Sequence, residues 1–343
     1  MDVRFCSETR AEAEAWDAYV AASPAATSDH LWGWRRVLLE TFGYRPYYLS
    51  AVDGGRVVGI LPLFRIPRGL GRYALSSIPF GNYGGICADS PAVFTALLDA
   101  AKQLLGDLQG EYLDLRHRTP VPNGDLQPQR AYSRFTLPLL GEPALHLQAL
   151  GSNNRKKLSK ARRTGLRLVC SRDMEPLYQI HTHTMRRLGT PCFPRRYFEL
   201  ILEQFSDRAA LWFVASGRRF VAYELNLRFK QSLVIQLGGM LWQHAHTYPN
   251  YMLFWRAIEE GCAHGVVELD YCRNRTDSGS AHFKRQLHLR EEPLVYQYYL
   301  PDGQPVPQRH PSNPKYRLAI SLWKQLPLRL TRWVGPSLVR YFA

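Results

Sequence analysis

Residues 47–64, YYLSAVDGGRVVGILPLF, and residues 212–229, WFVASGRRFVAYELNLRF, carry one design twice. Each reads as a strand, a tight glycine turn and a second strand, because alternating apolar runs flank Asp53-Gly54-Gly55 in one and Ser216-Gly217 in the other. A glycine pair follows each hairpin, Gly84-Gly85 after Tyr83 and Gly238-Gly239 after Leu237, and is expected at a strand end. Helices are expected next, around 91–107 and 250–264, the second with Phe254, Ala257, Ile258 and Cys262 on one buried stripe. Each helix leads to a short apolar strand ending in Asp and soon Arg: Tyr112-Leu113-Asp114-Leu115-Arg116 and Glu268-Leu269-Asp270-Tyr271-Cys272-Arg273. Equivalents stand about 154–163 residues apart, which argues for a duplicated α/β unit; the alternative is a chance echo of a common hairpin-helix-strand order. The boundary is expected near Gly141-Glu142-Pro143.

The chain has 343 residues, 45% of them apolar and 12% aromatic, ample for packed cores and against wholesale disorder. The net charge is +15, unevenly placed. Residues 151–175 hold eight basic side chains against two acidic ones, and residues 301–343 hold seven against one. A nearly neutral globule with two basic strips favours localised contacts with a polyanion: nucleic acid, a phosphorylated substrate or an acidic membrane surface. No apolar run of about 18 residues predicts a spanning helix. The start, MDVRFCSETRAEAEAW, is acidic and polar where a signal peptide is basic and then apolar. Six scattered cysteines without a CxxC pair suit reduced thiols in the cytoplasm.

Arg155 to Arg167 reads as a basic helix, seven Lys/Arg in thirteen residues with no acid among them. Leu158, Ala161 and Gly165 offer one narrow packing face, so Arg155, Lys156 and Lys160 stay free to track phosphates; a merely solvated face is the alternative. On the strand Val221–Leu227, Glu224 alternates away from Tyr223 and Leu225 onto the face of Ala222 and Asn226, where a solvent-facing carboxylate is the plain reading. Asn250 is expected to cap the helix that begins near Tyr251, where free N–H groups make an anion site. His181-x-His183 and His244-x-His246 are each half a metal set with nothing to complete it, so no metal is expected. Gly69-x-Gly71-x-x-Ala74 fails as a dinucleotide fingerprint, since Ser76-Ser77-Ile78-Pro79 and no helix follows it. In the tail, Leu318, Ala319, Leu322, Trp323 and Leu326 form an apolar stripe among basic residues, stopped by Pro327. Residues 316–342 thus suit a peripheral membrane contact or a helix packing back on the first domain.

Three blocks resemble the FemAB-type transferases, in the family's order and across nearly the whole chain. Leu150-Gly-Ser-Asn-Asn-Arg-Lys-Lys-Leu-Ser-Lys-Ala-Arg-Arg-Thr-Gly-Leu166 resembles the basic helix that opens their second half. Leu269-Asp-Tyr-Cys-Arg-Asn-Arg-Thr-Asp-Ser-Gly-Ser-Ala-His-Phe-Lys-Arg285 resembles their Asp…Arg…Ser-Gly…Phe-Lys block. The ending from Asn313 through Trp323 to Gly335-Pro336 is similar to a branch found with exosortase (PEP-CTERM) and exopolysaccharide systems.

The resemblance implies an α/β (α+β) fold of two tandem GNAT-like domains, mixed sheets flanked by helices, at 1–143 and 144–300, with a basic amphipathic tail at 301–343. It implies a cytoplasmic N-acyltransferase, with no bound cofactor, acting on an amine of a cell-envelope or exopolysaccharide precursor. The activated donor is aminoacyl-tRNA or acyl-CoA; the glycine-rich CoA loop and the long helical arm of some tRNA-using relatives are both missing. Phe283 and Lys284 match the Phe-Lys pair, the lysine positioning donor or stabilising the oxyanion formed when an amine attacks an ester or thioester. Asp270, beside Arg273 and Arg275, accepts the amine's proton or holds those arginines in a salt bridge; the arginines are candidate substrate contacts. In GNAT folds a glutamate on the strand that Val221–Leu227 resembles often serves as general base, which the resemblance implies for Glu224. The competing class is a non-catalytic fold of this kind that binds RNA or an acidic membrane.

Overall fold

The computed structural model describes residues 1–69, 71–301, 306–307 and 314–343, with the backbone alone for 314–316. Asn313, which opens the C-terminal block, lies outside the described residues. The chain runs through one order of elements twice. The first pass is β1 (Asp2–Phe5), α1 (Arg10–Ala22), α2 (Trp34–Phe42), β2 (Arg45–Asp53), β3 (Arg56–Gly69), β4 (Arg72–Ser76), β5 (Cys87–Ala88), α3 (Pro91–Asp107), β6 (Leu113–Leu115) and β7 (Gln127–Pro138). Two helices, α4 (Pro143–Ala149) and α5 (Ser152–Arg163), lead to the second pass. This is β8 (Leu166–Cys170), α6 (Met174–Leu188), α7 (Arg195–Gln204), β9 (Ala209–Ser216), β10 (Arg219–Phe229), β11 (Ser232–Met240), α8 (Pro249–Ala263), β12 (Glu268–Arg275), α9 (Gly279–Gln286) and β13 (Arg290–Tyr299). Helices α10 (Pro314–Gln325) and α11 (Leu328–Val339) follow.

Pairing repeats as closely as order. Both hairpins form: Asp53 faces Arg56 across Gly54 and Gly55, which take φ of 53° and 79°, and Ser216 faces Arg219 across Gly217 at 60°. Positive φ is what a two-residue turn between twisted strands demands, and glycine meets it without steric cost. Strand β4 then lies antiparallel to β3 and parallel to β6, as β11 does to β10 and β12. The helices that join these parallel strands start alike, each with proline in the first turn; α3 also has Ser90 accepting the Val93 N–H at 3.3 Å. A shared order with shared strand directions is a duplication.

The last strand of each repeat is exchanged. Residues 132–138 of β7 follow the first repeat yet pair antiparallel with β12, and Gln297–Tyr299 of β13 follow the second repeat yet pair with β6. The two compact units are therefore not simple halves. One comprises Met1–Ala131, Leu294–Arg309 and Arg340–Ala343; the other comprises Tyr132–Pro293 and His310–Val339. The sequence instead marks a boundary at 143 and a separate tail from 301, because local turn chemistry carries no sign of a strand that crosses over.

Each unit buries its own core. In the first, Leu61, Leu63 and Leu75 pack with Val93, Leu97 and Leu104 of α3. In the second, Phe254, Ala257 and Ile258 of α8 pack with Phe135, Leu233 and Leu269, as the helical stripe predicts. One expectation needs correction. Gly238 and Gly239 lie in β11 near its end, but Gly84 and Gly85 lie in the loop between β4 and β5. A Cβ on Gly85 would come within 2.3 Å of the His117 ring, so close approach and not a strand end selects glycine there.

Helices α10 and α11 pack on the second unit, against α6, whereas Arg340–Ala343 belong to the first, where the Arg340 carbonyl accepts from the Tyr44 hydroxyl at 2.5 Å. Thr331, Gly335 and Val339, spaced as one helical face, are the buried residues of α11. A Cβ on Gly335 would stand 2.7 Å from Cys192 Sγ and 3.1 Å from Cys192 N. Gly335→Val should therefore lift α11 from the unit and cost about 1–3 kcal/mol by overpacking, read as a lower midpoint in urea denaturation.

Candidate functional site

The second unit's β12 is shaped by one arginine. Arg134 of β7 is buried and pairs with Asp270 (Nε to Oδ2, 3.0 Å), Glu292 (3.1 Å) and Glu268. The β7–β12 register breaks between Asp270 and Arg273, and within the break Cys272 takes φ +57°. Such a conformation is uncommon for a side chain other than Gly, Asn or Asp. Asp270 stabilises it by accepting the Cys272 N–H at 2.7 Å. Both Asp270 oxygens are thus engaged, one by Arg134 and the other by a backbone amide. Arg273 lies over the Tyr132 ring at 4.9 Å, and Arg275 pairs with Asp277 at 2.6 Å.

Beyond the bulge, Ser278 caps α9 by accepting the Ala281 N–H at 3.1 Å. The Ser-Gly of the motif is the start of a helix, and the helix aims Lys284 inward. Lys284 is buried, donates to the Tyr271 carbonyl, and stands 5.5 Å from the ring centroids of both Phe135 and Tyr271. Burial pushes its pKa down to about 8, against the opposing pull of Cys272, Asp270 and Glu224. Phe283 is half-buried with its ring edge-on to Tyr251 at 5.6 Å.

Strands β11 and β12 are paired in parallel only from Ser232/Glu268 to Val234/Asp270, although both run on. Near this parting several buried side-chain atoms make no well-formed hydrogen bond: Asn226 Oδ1 and Nδ2, Gln236 Nε2 and the Tyr271 hydroxyl. Buried polar groups are usually satisfied, and a substrate is one thing that satisfies them. Glu224 is buried, not solvent-facing, and accepts from Arg256 Nη2 of α8 at 2.6 Å. Burial raises its pKa, with Arg256 opposing. Arg256 in turn lies 4.7 Å over Trp212 and pairs with Glu260.

The basic helix lies on α8. Its buried face is Asn154, Leu158 and Ala161, and it ends at Arg163, before Gly165 at φ +70°. Asn154 links three helices, accepting from the Tyr251 hydroxyl at 3.0 Å and donating to the Gln286 carbonyl at 2.6 Å. Lys160, Lys157 and Arg162 lie over Tyr248, Tyr251 and Trp255 at 5.3, 5.6 and 5.2 Å, within the range of cation–π attraction. Arg155 and Lys156 are exposed. Asn250 is not the cap expected of it. Proline sets the backbone for a helix start, so α8 begins at Pro249 after Tyr248 at φ +58°, and Asn250 falls in the first turn.

The first unit closes the equivalent place. Ser76 and Asp114 are the last parallel pair of β4 and β6, and Asp114 accepts from Arg116 at 2.8 and 2.9 Å and from Ser76 at 3.0 Å. Arg116 also donates to Ile78 O at 2.8 Å, and its carbonyl accepts the Gly85 N–H at 3.0 Å. The loop is stitched where the second unit's strands part. In the first histidine pair, His181 is structural. His181 lies on α6, not on a strand, with Nδ1 at 3.0 Å from the Tyr223 hydroxyl and Nε2 accepting the Phe193 N–H at 3.1 Å. Burial lowers its pKa to about 3. Among the described residues no three metal-ligating side chains gather.

Residues 152–285 match the family model described as an acetyltransferase (GNAT) domain. No curated protein matches the chain. Among solved structures, the crystal structure of FemX superposes with TM-score 0.64 at 13% identity, covering 95% of this chain and all of that one. A tandem GNAT protein from the clavulanic acid biosynthesis pathway gives 0.55 at 14%, over 89% and 99%. The L-PGS of Bacillus licheniformis gives 0.54 at 14%, over 94% and 96%. At such identities the likeness is one of fold, and with the family match it bears out the tandem GNAT-like architecture. The second unit is an acetyltransferase-type domain, and the chain is an acyltransferase by that domain.

Arg134→Leu should cost about 3–5 kcal/mol, since it strands buried carboxylates, and chemical denaturation will read the loss. The folded Lys284 titrates near 8, below its ordinary 10.5, so between these values the unfolded chain holds a proton the folded one has released. Stability from this group therefore rises with pH through that window. Denaturation midpoints should show the gain, and Lys284→Met should abolish it.

Proposed function

We propose that the protein is an N-acyltransferase of FemAB type, moving an acyl or aminoacyl group to an amine of a cell-envelope or exopolysaccharide precursor. One observation carries the reading: two parallel strands part beside a buried lysine in one unit, while an arginine and a loop occupy the same place in its twin. The basic helix beside the start of α8 supports a donor with phosphates. Its exposed Arg155, Lys156 and Lys160 suit the long anionic track of aminoacyl-tRNA, and the first-turn amides of α8 suit the pyrophosphate of an acyl-CoA. The exosortase association rests on the C-terminal sequence block alone.

The reaction is direct transfer. The acceptor amine attacks the activated carbonyl, a C–N bond forms, and the carbonyl π electrons move to oxygen. Lys284 stabilises that oxyanion as an ammonium. Collapse expels the tRNA hydroxyl or the CoA thiol, and the amine's proton leaves with it by way of a base. Asp270 and Glu224 are the candidates for that base, each already held by an arginine, and Phe283, Arg273, Arg275 and Asn250 line the approaches. The arginine engagement of both carboxylates favours one competing reading, a non-catalytic module that binds RNA or an acidic surface.

The two readings part on Lys284→Met. Transfer from a labelled donor should fall about 10²-fold or more while donor binding persists, as removal of an oxyanion donor does. Cells that retain full function with Lys284, Asp270 and Glu224 all replaced would establish the binding module instead. Mass spectrometry of the purified protein separates the donors: aminoacylated tRNA retained at low salt and lost from a Lys156→Glu, Lys160→Glu variant identifies one, and a co-purified CoA species the other.

A further inference from the structure

The C-terminal helices turn part of their apolar stripe outward. Helix α10 meets α6 through Ile320, whose Cγ2 would stand 2.5 Å from a Cβ on Gly189, and through the Lys324 carbonyl, which accepts from Arg186 at 3.2 Å. Leu318 and Leu322 point away from that contact and are 71% and 54% exposed. On α11 the buried face is Thr331, Gly335 and Val339, and Trp333 on the far side is 78% exposed, with Leu330 at 39%. The outward part of the stripe, Leu318 and Leu322, is not the packing face of α10.

Charge decides what covers it. Residues 314–343 contain six Lys/Arg and no acidic residue. Arg317, Lys324 and Arg329 are exposed and make no ion pair among the described residues, whereas Arg332 is tied to Glu175 at 3.0 Å. A second copy would bring the same cations against themselves. RNA offers phosphates but no apolar medium for a tryptophan and leucines. An anionic bilayer offers both, a negative surface for the arginines and an acyl boundary for the apolar ridge.

We propose that α10 and α11 form a docking face for an anionic lipid bilayer. Leucines and Trp333 enter the headgroup boundary, and Arg317, Lys324 and Arg329 lie at the phosphate level. No helix among the described residues is long and apolar enough to cross a membrane, so attachment through this face is peripheral. The inference stands on these helices alone, independent of the transfer chemistry.

Sedimentation of the full chain with vesicles tests it. The protein should pellet with phosphatidylglycerol/phosphatidylcholine vesicles and remain in the supernatant with phosphatidylcholine alone. Leu322→Glu with Trp333→Glu, or Arg317→Ala with Arg329→Ala, should each weaken partitioning about tenfold or more, since each removes one of the two attractions. All four side chains are exposed or half-exposed, and unchanged near-ultraviolet circular dichroism will show that the variants fold. Leu318→Gln is the milder variant should the charged ones aggregate. Wild-type protein that stays in solution with anionic vesicles overturns the proposal, as do variants that pellet undiminished. A wild-type dimer broken by Leu322→Glu without vesicle binding assigns the face to a second copy. Retention of RNA that depends on Arg317 and Arg329, without vesicle binding, assigns it to nucleic acid.

Discussion

One guanidinium holds three carboxylates in the second unit, and the geometry of the site follows from that constraint. Arg134 gathers Asp270, Glu268 and Glu292 from two other strands. Desolvating these charges is expensive, and the attraction offsets the expense only while every partner stays in place. That requirement fixes β12 against β7 and turns Asp270 toward the amide of Cys272. The resulting kink places the Tyr271 carbonyl where Lys284 can reach it. Strain at Cys272, the buried ammonium and the parted strands are consequences of one clamp.

The twin repeats show how a duplicated fold specialises. Hairpins, parallel strands and connecting helices are alike in both units. The difference lies beyond the last parallel pair, where the first unit has a stitched loop leading to β5 and the second has the β12 bulge and α9. Arg116 in the first unit pairs with Oδ2 of its own strand's Asp114 and donates to the neighbouring loop, so that an arginine occupies that place. In the second unit the equivalent aspartate is held by Arg134 from a different strand, and Asn226 and Tyr271 keep polar atoms without good partners.

Lys284, Phe283 and Asp270 were legible because they belong to one short motif whose chemistry is local. Arg134, Asn154 and Arg256 were not, since each acts on groups far along the chain: Asp270, Gln286 and Glu224 respectively. Asn154 stood inside the quoted basic segment and carried a faint signal, a polar residue on the same helical face as Leu158 and Ala161. Glu224 was placed on the correct strand and misjudged for environment. Alternation separates the two faces of a strand but does not say which elements cover each, and α8 covers the face expected to be wet.

The sequence by itself determined the repeat: two glycine turns, two amphipathic helices and two Asp…Arg strand ends specify elements through short-range sterics and periodicity. It also determined that the tail is basic and apolar at once. Tertiary structure alone decided which strand completes which unit, because a strand's hydrogen bonds accept any partner of matching register. It decided which repeat stays open, since that turns on where a distant arginine lands. And it decided that Leu318, Leu322 and Trp333 face outward, because the contacts of Ile320, Thr331 and Gly335 with the second unit take the buried face.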